Sequence, residues 1–444
     1  MTNNKGFTLI EMLVTMTLVI LVIMITGSAF ESILKSTGRL VASEESNIEG
    51  MIGLEMFRYD LQQSGYGIPD TFLSLAPKYV EASYAPANLF NDGKGTSTAG
   101  NVPRPIVSLD SVSGASDTNA EISTSETSSS TSSFSILDGT DYLAIKATTV
   151  GHSKASKKWT YLNYSAVLGS VFSAKAPNKW PNTEDNFKSD DMTIVIKRAF
   201  LDDGTITNTL IFNNNNTGVA GTYWPGNPTV NMNSDFNPGK ADPTYFLYGV
   251  NNYSASGLGM PFNRADFFVA RPATTSSIPT MCASNTGILY KATVNHDGGK
   301  LNYKPLLDCV ADMQVVFGWD VNNDGIITES SAYGSSVSVS GTASGDSIKA
   351  IMLDAIKIRK TLKYIKVYIM AQEGRKDLNF KNTDMLMNNT YSVVVGDANT
   401  SASLYNSASN VSITKGYTAA DLTAKGWLNY RWKIYRIVVR PKNL

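Results

Sequence analysis

The stretch Lys5-Gly6-Phe7-Thr8-Leu9-Ile10-Glu11 opens an apolar run that continues to Phe30 and contains one charge, on Glu11. These 24 residues from Phe7 onward are enough for a helix to cross a bilayer, which takes about 20. A carboxylate inside such a span costs about 2.5–3.5 kcal/mol. Cleavage between Gly6 and Phe7 would create an α-amine that could neutralise Glu11, in the same chain or in a neighbouring one. The segment therefore predicts both a membrane anchor and an assembly device.

This N-terminus resembles that of type IV prepilins. The matching features are the short polar leader of residues 1–6, with Lys5 and Gly6, and then Phe7 and Glu11 at the expected spacing. The resemblance implies that a prepilin peptidase cuts after Gly6 and methylates the amine of Phe7. It also implies that Glu11 guides insertion into a growing filament. An ordinary signal peptide is cleaved after its apolar part, whereas here the predicted cleavage precedes it.

The flanking charges predict how the chain is oriented in the membrane. Lys5 precedes the apolar span and Glu31 follows it. The positive-inside rule places the N-terminus in the cytoplasm. We expect a single pass through the inner membrane with the head in the periplasm, followed by an extracellular location in the assembled pilus.

The helical pattern continues beyond the membrane. Residues 31–64 lack proline and carry apolar residues at steps of three and four, as on one helix face: Ile48, Met51, Ile52, Met56 and Tyr59. We expect this stripe to pack on a folded head. The stretch Ser64–Pro69 is a strong stop signal. The sequence therefore predicts one helix from Phe7 to about Gln63, with a membrane half at 7–30 and an amphipathic half at 31–64.

The rest of the chain has a β pattern. Residues 141–146, 192–197, 311–319, 365–369 and 430–440 alternate or are rich in strand-forming residues. Ser/Thr-rich stretches at 111–135 and 335–347 predict exposed loops. The predicted fold is α+β, with a long N-terminal spine helix packed on a β-rich exported head. We divide this head into residues 65–280, with long Ser/Thr-rich loops, and a C-terminal β region at 281–444.

Charge and cysteine content bear on nucleic-acid binding and on a disulfide. Lys plus Arg and Asp plus Glu both number 38, so the formal net charge is zero and no nucleic-acid footprint is present. The two cysteines, Cys282 and Cys309, lie in the predicted exported part. An oxidising compartment favours a disulfide between them, and two buried free thiols are the alternative.

Further blocks resemble PilW-type minor pilins, which share a family with the J-type pseudopilins of type II secretion. These blocks are residues 57–67, 309–320, 356–377 and 436–444. The resemblance implies a low-abundance subunit near the pilus tip, which primes assembly with other minor and major pilins and helps to hold a tip adhesin. Because the family is shared, a J-type pseudopilin remains an alternative. Residues 70 to about 280 match nothing, so a surface- or glycan-binding module in that region is a second alternative.

One loop resembles the first half of an EF-hand calcium loop. Gly325 stands where such loops turn sharply, and the expected ligands are Asp320, Asn322, Asp324, the Ile326 carbonyl and Glu329. The pattern departs from that motif because Glu329 occupies position 10 and Ser331 occupies position 12, where a bidentate glutamate is expected. Calcium is therefore an expected cofactor, and a plain Asn-Asp-Gly turn is the alternative.

Catalytic motifs are absent from the sequence. No nucleophile elbow, phosphate-binding glycine loop or His-Glu-x-x-His occurs. The chain has two histidines, His152 and His296, each in a turn-like context that predicts a surface residue. The many aromatic residues of the middle region, from Trp159 to Phe268, predict sheet core. We therefore expect a non-enzymatic protein.

Overall fold

A computed structural model describes most of the chain. The described residues are 8–72, 77–95, 98–109, 116–120, 132–167, 171–202, 204, 206–211, 224–225, 244–252, 258–272, 278–331, 350–383, 391–397 and 414–444. The predicted loop at 335–347 lies outside them.

Helix α1 spans Leu9–Gln62 without interruption. Its 54 residues extend over about 80 Å at 1.5 Å per residue. The chain then turns away through Gly65 and Gly67, whose φ angles of 82° and 67° fall in the left-handed region that glycine adopts most easily. The single long helix that the sequence predicts is therefore present, with its end at the predicted stop.

The head is built from strands of 2 to 19 residues and a few short helices. Its strands are β1 Thr71–Phe72, β2 Ile106–Leu109, β3 Ser116–Ala120, β4 Ser132–Ile136, β5 Tyr142–Ala147, β6 Trp159–Val167, β7 Val171–Pro177, β8 Asp191–Phe200, β9 Ile206–Ile211, β10 Trp224–Pro225, β11 Thr244–Asn252, β12 Asn263–Pro272, β13 Gly287–Val294, β14 Leu301–Trp319, β15 Thr328–Ser331, β16 Leu362–Glu373, β17 Val393–Val395, β18 Lys415–Tyr417 and β19 Arg431–Val439. The short α-helices are α2 Ala355–Thr361 and α3 Ala419–Lys425, and 3-10 turns occur at Ala87–Phe90, Ala155–Lys157 and Thr183–Asp185.

The described strands form two large sheets and a small one. The central ten-stranded sheet has the order β19-β16-β14-β13-β12-β4-β3, with β15 paired to β14, β5 to β12 and β2 to β5. The seven-stranded sheet has the order β1-β9-β8-β11-β6-β7, with β10 paired to β8, and β17 pairs with β18 alone. The α+β class is confirmed. The central sheet draws strands from both sides of residue 280, so that boundary does not separate two sheets.

Two sequence expectations about the head need correction. Strand β3 and all but the last residue of β4 lie within the Ser/Thr-rich stretch 111–135, which we expected to be a loop. They form strands because they pair with each other and β4 adds to β12. The alternation at 311–319 predicts that Ala311 and Met313 share one face of β14, but they belong to the clusters on opposite sides of the sheet. A bulge between Val310 and Asp312 shifts the register, and Ala311 packs with the cluster on the opposite side of the sheet.

The face of α1 that packs on the head is not the predicted one. Met51, Ile52, Met56 and Tyr59 are 63%, 62%, 46% and 51% exposed, and the side chain of Ile48 lies outside the described ones. The packed face consists of Gly50, Gly53, Leu54, Phe57, Asp60 and Leu61, all of which are buried. The ring of Phe57 stacks on that of Phe267 at 4.2 Å between centroids.

Small residues explain why this face of α1, and not the predicted one, packs against the head. A Cβ on Gly53 would stand 2.1 Å from the carbonyl oxygen of Leu306, and one on Gly50 would stand 2.6 Å from a methyl carbon of Leu307. Glycine at these positions lets the helix backbone lie directly on β14.

A buried ion pair and a disulfide add to these contacts. Lys291 on β13 lies 2.6 Å from Asp60 on α1, with both side chains nearly inaccessible. Burial raises the pKa of Asp60, and the charge of Lys291 partly offsets that rise. Cys282 and Cys309 are joined by a disulfide with their Cα atoms 5.0 Å apart, which ties the segment before β13 to β14.

Candidate functional site

Thr8 and Glu11 form a reciprocal capping pair at the start of α1. The backbone N–H and the hydroxyl of Thr8 donate to Glu11 Oε2 at 3.0 and 2.9 Å, and the Glu11 N–H donates to Thr8 Oγ1 at 3.4 Å. The carboxylate thus sits at the positive end of the helix dipole. Gly6 and Phe7 lie outside the described residues, so the cleavage site and the Phe7 amine stay predictions.

The first half of α1 is apolar on all sides. The stretch Leu9–Glu31 is long and apolar enough to cross a membrane, and its most hydropathic window is not buried anywhere in the described chain. A helix that is apolar all round needs either lipid or other helices around it. The exposed apolar residues Met51, Ile52, Met56 and Tyr59, which we call the outer stripe, lie on α1 beyond that span.

The predicted calcium loop connects β14 to β15. Asn323 and Gly325 have φ angles of 59° and 83°, which wind the loop tightly. Asp324 Oδ1 accepts from the Ile326 N–H at 2.7 Å, and Asp324 Oδ2 accepts from Asn322 Nδ2 at 2.7 Å. These bonds are those of a local Asx-type turn, which is the alternative that the sequence left open.

Glu329, the last of the expected calcium ligands, is bonded to two side chains of β16. Its Oε1 accepts from the Tyr364 hydroxyl and from Lys366 Nζ, both at 2.5 Å, because β15 lies beside β14 and brings Glu329 over β16. Among the described residues, no group of three or more His, Cys, Asp or Glu side chains is placed to hold a metal ion.

At Asp320, the first of the expected calcium ligands, the prediction remains untested. It is only 5% exposed, its Oδ1 has no hydrogen-bond partner, and its Oδ2 lies 3.7 Å from Lys363 Nζ. A buried carboxylate oxygen without a partner is costly unless something binds it. The oxygens that fit a hard cation are those of Asp320, Asn322 and Asp324 with the Ile326 carbonyl.

We expect Ca²⁺ to raise the thermal unfolding temperature of the chain relative to EGTA. Calcium at about 100 times its Kd would add about 2.7 kcal/mol to the free energy of unfolding. Asp324→Ala should remove the calcium-dependent part of the shift, whereas Asp297→Ala, in the turn before β14, should keep it. If the unfolding temperature of the wild-type chain were the same with Ca²⁺ and with EGTA, the loop would be a plain turn that binds no calcium.

The two histidines line one cavity, although 143 residues lie between them in the sequence. His152 is exposed, as expected, and its Nδ1 lies 3.4 Å from Lys304 Nζ. His296 is largely enclosed, which corrects the surface prediction. It is held in place by Asn263, whose Oδ1 lies 3.0 Å from His296 Nε2. No local sequence signal indicates that the two histidines lie close together, because the sheet topology brings them to the same cavity.

His296 should make stability depend on pH. Burial lowers the pKa of His296 to about 4, below its ordinary value of 6.5. The unfolded chain therefore takes up a proton first, and stability is complete above about pH 6.5 and falls towards pH 4. The loss is at most about 3 kcal/mol. Urea unfolding from pH 7.5 to 5 should show that His296→Gln flattens the slope, and an unchanged slope would contradict this assignment.

Buried charges fasten the segment between α1 and β2 to the central sheet. Lys146 Nζ lies 2.7 Å from Glu81 and 2.6 Å from Asp92, and Arg264 pairs with Asp266 at 2.7 Å and with Glu81 at 3.1 Å. Burial alone would raise the pKa of Asp92, but the charge of Lys146 helps to hold it below its usual value. These groups are paired and enclosed, so they serve packing and offer no exposed acid or base.

The aromatic residues of the middle region divide into two sets. Phe267 and Phe268 are buried in the central sheet, as predicted. Trp159 is 38% exposed, packs edge-on against Trp180 at 5.2 Å between centroids, and has Phe246 at 6.3 Å. The sequence assigned this second set to the core as well, but β6 and β11 leave it at the surface of the seven-stranded sheet.

Comparison with known proteins places the N-terminus in a known class. Residues 1–27 match the family described as "Prokaryotic N-terminal methylation motif". No curated protein and no solved structure matches the chain. The motif and the apolar helix together support a type IV pilin-like protein with an inner-membrane anchor before assembly. Such a motif implies processing by a prepilin peptidase and assembly with other pilins.

Proposed function

We propose that this chain is a minor pilin of a type IV pilus, with a structural and non-enzymatic role. It is incorporated near the tip and helps to start assembly with other minor pilins and a tip adhesin. The observation that carries this proposal is the prepilin motif at the head of a 54-residue helix whose apolar surface is largely unoccupied within its own chain.

The outer stripe supports a role in assembly. Exposed apolar side chains recur along α1 both inside the Leu9–Glu31 span and, at Met51 to Tyr59, outside it. The outer stripe follows the candidate membrane span and faces away from the described part of the head, so we expect neither lipid nor the head to cover it. The spine helix of a neighbouring subunit would bury both parts at once, at about 25 cal/mol per Å² of apolar surface.

The size of the head supports the tip location. The head carries a ten-stranded and a seven-stranded sheet on one spine. Subunits along a filament shaft must fit between neighbours on every side, whereas a subunit at the tip has free space above it. A large head is therefore easiest to accommodate at the end of the filament, where few copies are needed.

Labelling tests the location. An epitope inserted in the β8–β9 turn at Gly204 has open space, since nothing lies within 4 Å of a Cβ built there. Immunogold electron microscopy should place the label at one end of each pilus, with the major subunit labelled along the shaft as control. Label along the whole shaft would contradict the tip location.

The same tagged chain also distinguishes a minor pilin from the main alternative. A J-type pseudopilin carries the same kind of N-terminus but serves a secretion system. In that case the tagged chain would be missing from sheared pili, and its deletion would block protein secretion while leaving piliation intact.

A further inference from the structure

The cavity that contains both histidines has a defined polar character. Its volume is about 170 Å³, the space of about five or six water molecules. It lies where the ends of β5, β11, β12 and β13 meet the start of β14. Its lining includes His152, Ser153, Asn251, Asn263, His296 and Asn302.

Hydrogen bonds around Asn263 fix the tautomer of His296. The side-chain nitrogen of Asn263 donates to the carbonyl oxygens of Thr148 at 2.6 Å and Val250 at 2.7 Å. Asn263 Oδ1 is therefore oriented as an acceptor towards His296, so His296 Nε2 must carry the proton. In the neutral ring, Nδ1 is then an acceptor. This Nδ1 is buried and has no hydrogen-bond partner.

A second acceptor in the lining is also without a partner. Asn302 Oδ1, near the start of β14, is enclosed and accepts no hydrogen bond. A buried acceptor that is left without a hydrogen bond destabilises the folded chain. Asn251 and Ser153 add groups that can both donate and accept. The cavity thus requires at least two donors from whatever fills it.

Charge restricts the occupant further. None of the described residues that line the cavity is a carboxylate, and Lys304 stands beside His152, so a cation is disfavoured. Two unsatisfied acceptors repel an anion, and the guanidinium of Arg264 is already paired with Asp266 and Glu81. The occupant is therefore a small neutral molecule with several hydroxyl groups, which donate and accept at the same atom.

We propose that this cavity binds a single neutral polyhydroxyl ring, such as one sugar residue, through hydroxyl groups that donate to His296 Nδ1 and Asn302 Oδ1. The site is independent of the pilin-like N-terminus, so it holds whether or not the chain acts at a pilus tip. It gives the head a ligand-binding role in addition to assembly.

Saturation-transfer NMR on the full chain in a sugar-free detergent tests the proposal, with D-glucose, D-galactose and N-acetyl-D-glucosamine as probes and acetate as the charged control. We expect transfer to at least one sugar and none to acetate. Transfer to none of the three sugars at millimolar concentration would mean that the cavity holds water only, and would overturn the proposal.

Two substitutions of similar size at Asn302 distinguish the effect of the acceptor oxygen from the effect of the cavity's shape. Asn302→Leu fills a similar volume without an acceptor and should weaken sugar binding about tenfold or more. Asn302→Asp keeps the acceptor oxygen and should retain binding within about threefold. Thermal unfolding of both variants checks that the head remains folded. Equal binding by the wild-type chain and the folded Leu variant would locate the sugar elsewhere and overturn the assignment.

Discussion

Glu11→Gln is expected to lower incorporation of the chain into pili about a hundredfold while leaving its insertion into the membrane intact. A carboxylate within the span costs about 2.5–3.5 kcal/mol, and pairing with the cleaved Phe7 amine of a neighbouring subunit would recover it. That energy corresponds to roughly two orders of magnitude in an equilibrium. The measurement is the ratio of chain in sheared pili to chain in the inner membrane.

The choice of glutamine separates charge from helix capping. Glu11 also accepts hydrogen bonds from Thr8, and a glutamine at this position can serve the same capping box without a charge. Thr8→Ala removes the cap and keeps the charge, so it should lose about 1 kcal/mol of helix stability and still enter pili. Gly6→Asp blocks the predicted cleavage and serves as the control for lost incorporation.

The opposite pattern would contradict the assembly role of Glu11. If Thr8→Ala abolished incorporation and Glu11→Gln did not, the pair would act only in starting the helix. Mass spectrometry of each variant from membranes is needed alongside, because an uncut or unmethylated Phe7 would confound the comparison.

Local patterns in the sequence predicted the elements that depend on local physics. The span from Phe7 to Phe30, the stop after Gln63 and the strand alternation at 365–369 each arise from composition and period within a short window. The disulfide partners were predictable because the chain offers just Cys282 and Cys309. None of these inferences required knowledge of which strand lies beside which.

Features that depend on the pairing of distant strands were missed. The outer stripe has the stronger hydrophobic pattern, yet the glycine face docks, because close approach to β14 matters more than the apolar count. The spacing of Gly50, Gly53, Leu54 and Phe57, which lie on one helical face, was the better indicator of the face that packs on the head. Glu329 likewise pairs with Lys366 across strands, a contact that loop numbering cannot reveal.

Gly53→Ala is expected to destabilise the head by about 1–3 kcal/mol. The added Cβ would stand 2.1 Å from the Leu306 carbonyl oxygen and 2.9 Å from its carbon, and both are backbone atoms that cannot rotate away. Either the strand shifts, at a typical cost of about 1–3 kcal/mol, or the helix lifts and exposes Phe57 and Leu61. Burial of each of these side chains stabilises by about 1.5–3 kcal/mol.

Two other glycines of α1 provide a matched series. Gly27 has nothing within 4 Å of a Cβ, so Gly27→Ala should leave the head stability unchanged while favouring the helix by up to about 1 kcal/mol. Gly50 faces only a methyl carbon of Leu307, a side chain that can rotate, so Gly50→Ala should fall between the two. Urea unfolding followed by tryptophan fluorescence measures all three. Equal stability for the Gly53 and Gly27 variants would show that the spine is not held against β14 by this contact, and that the outer stripe is free to take its place.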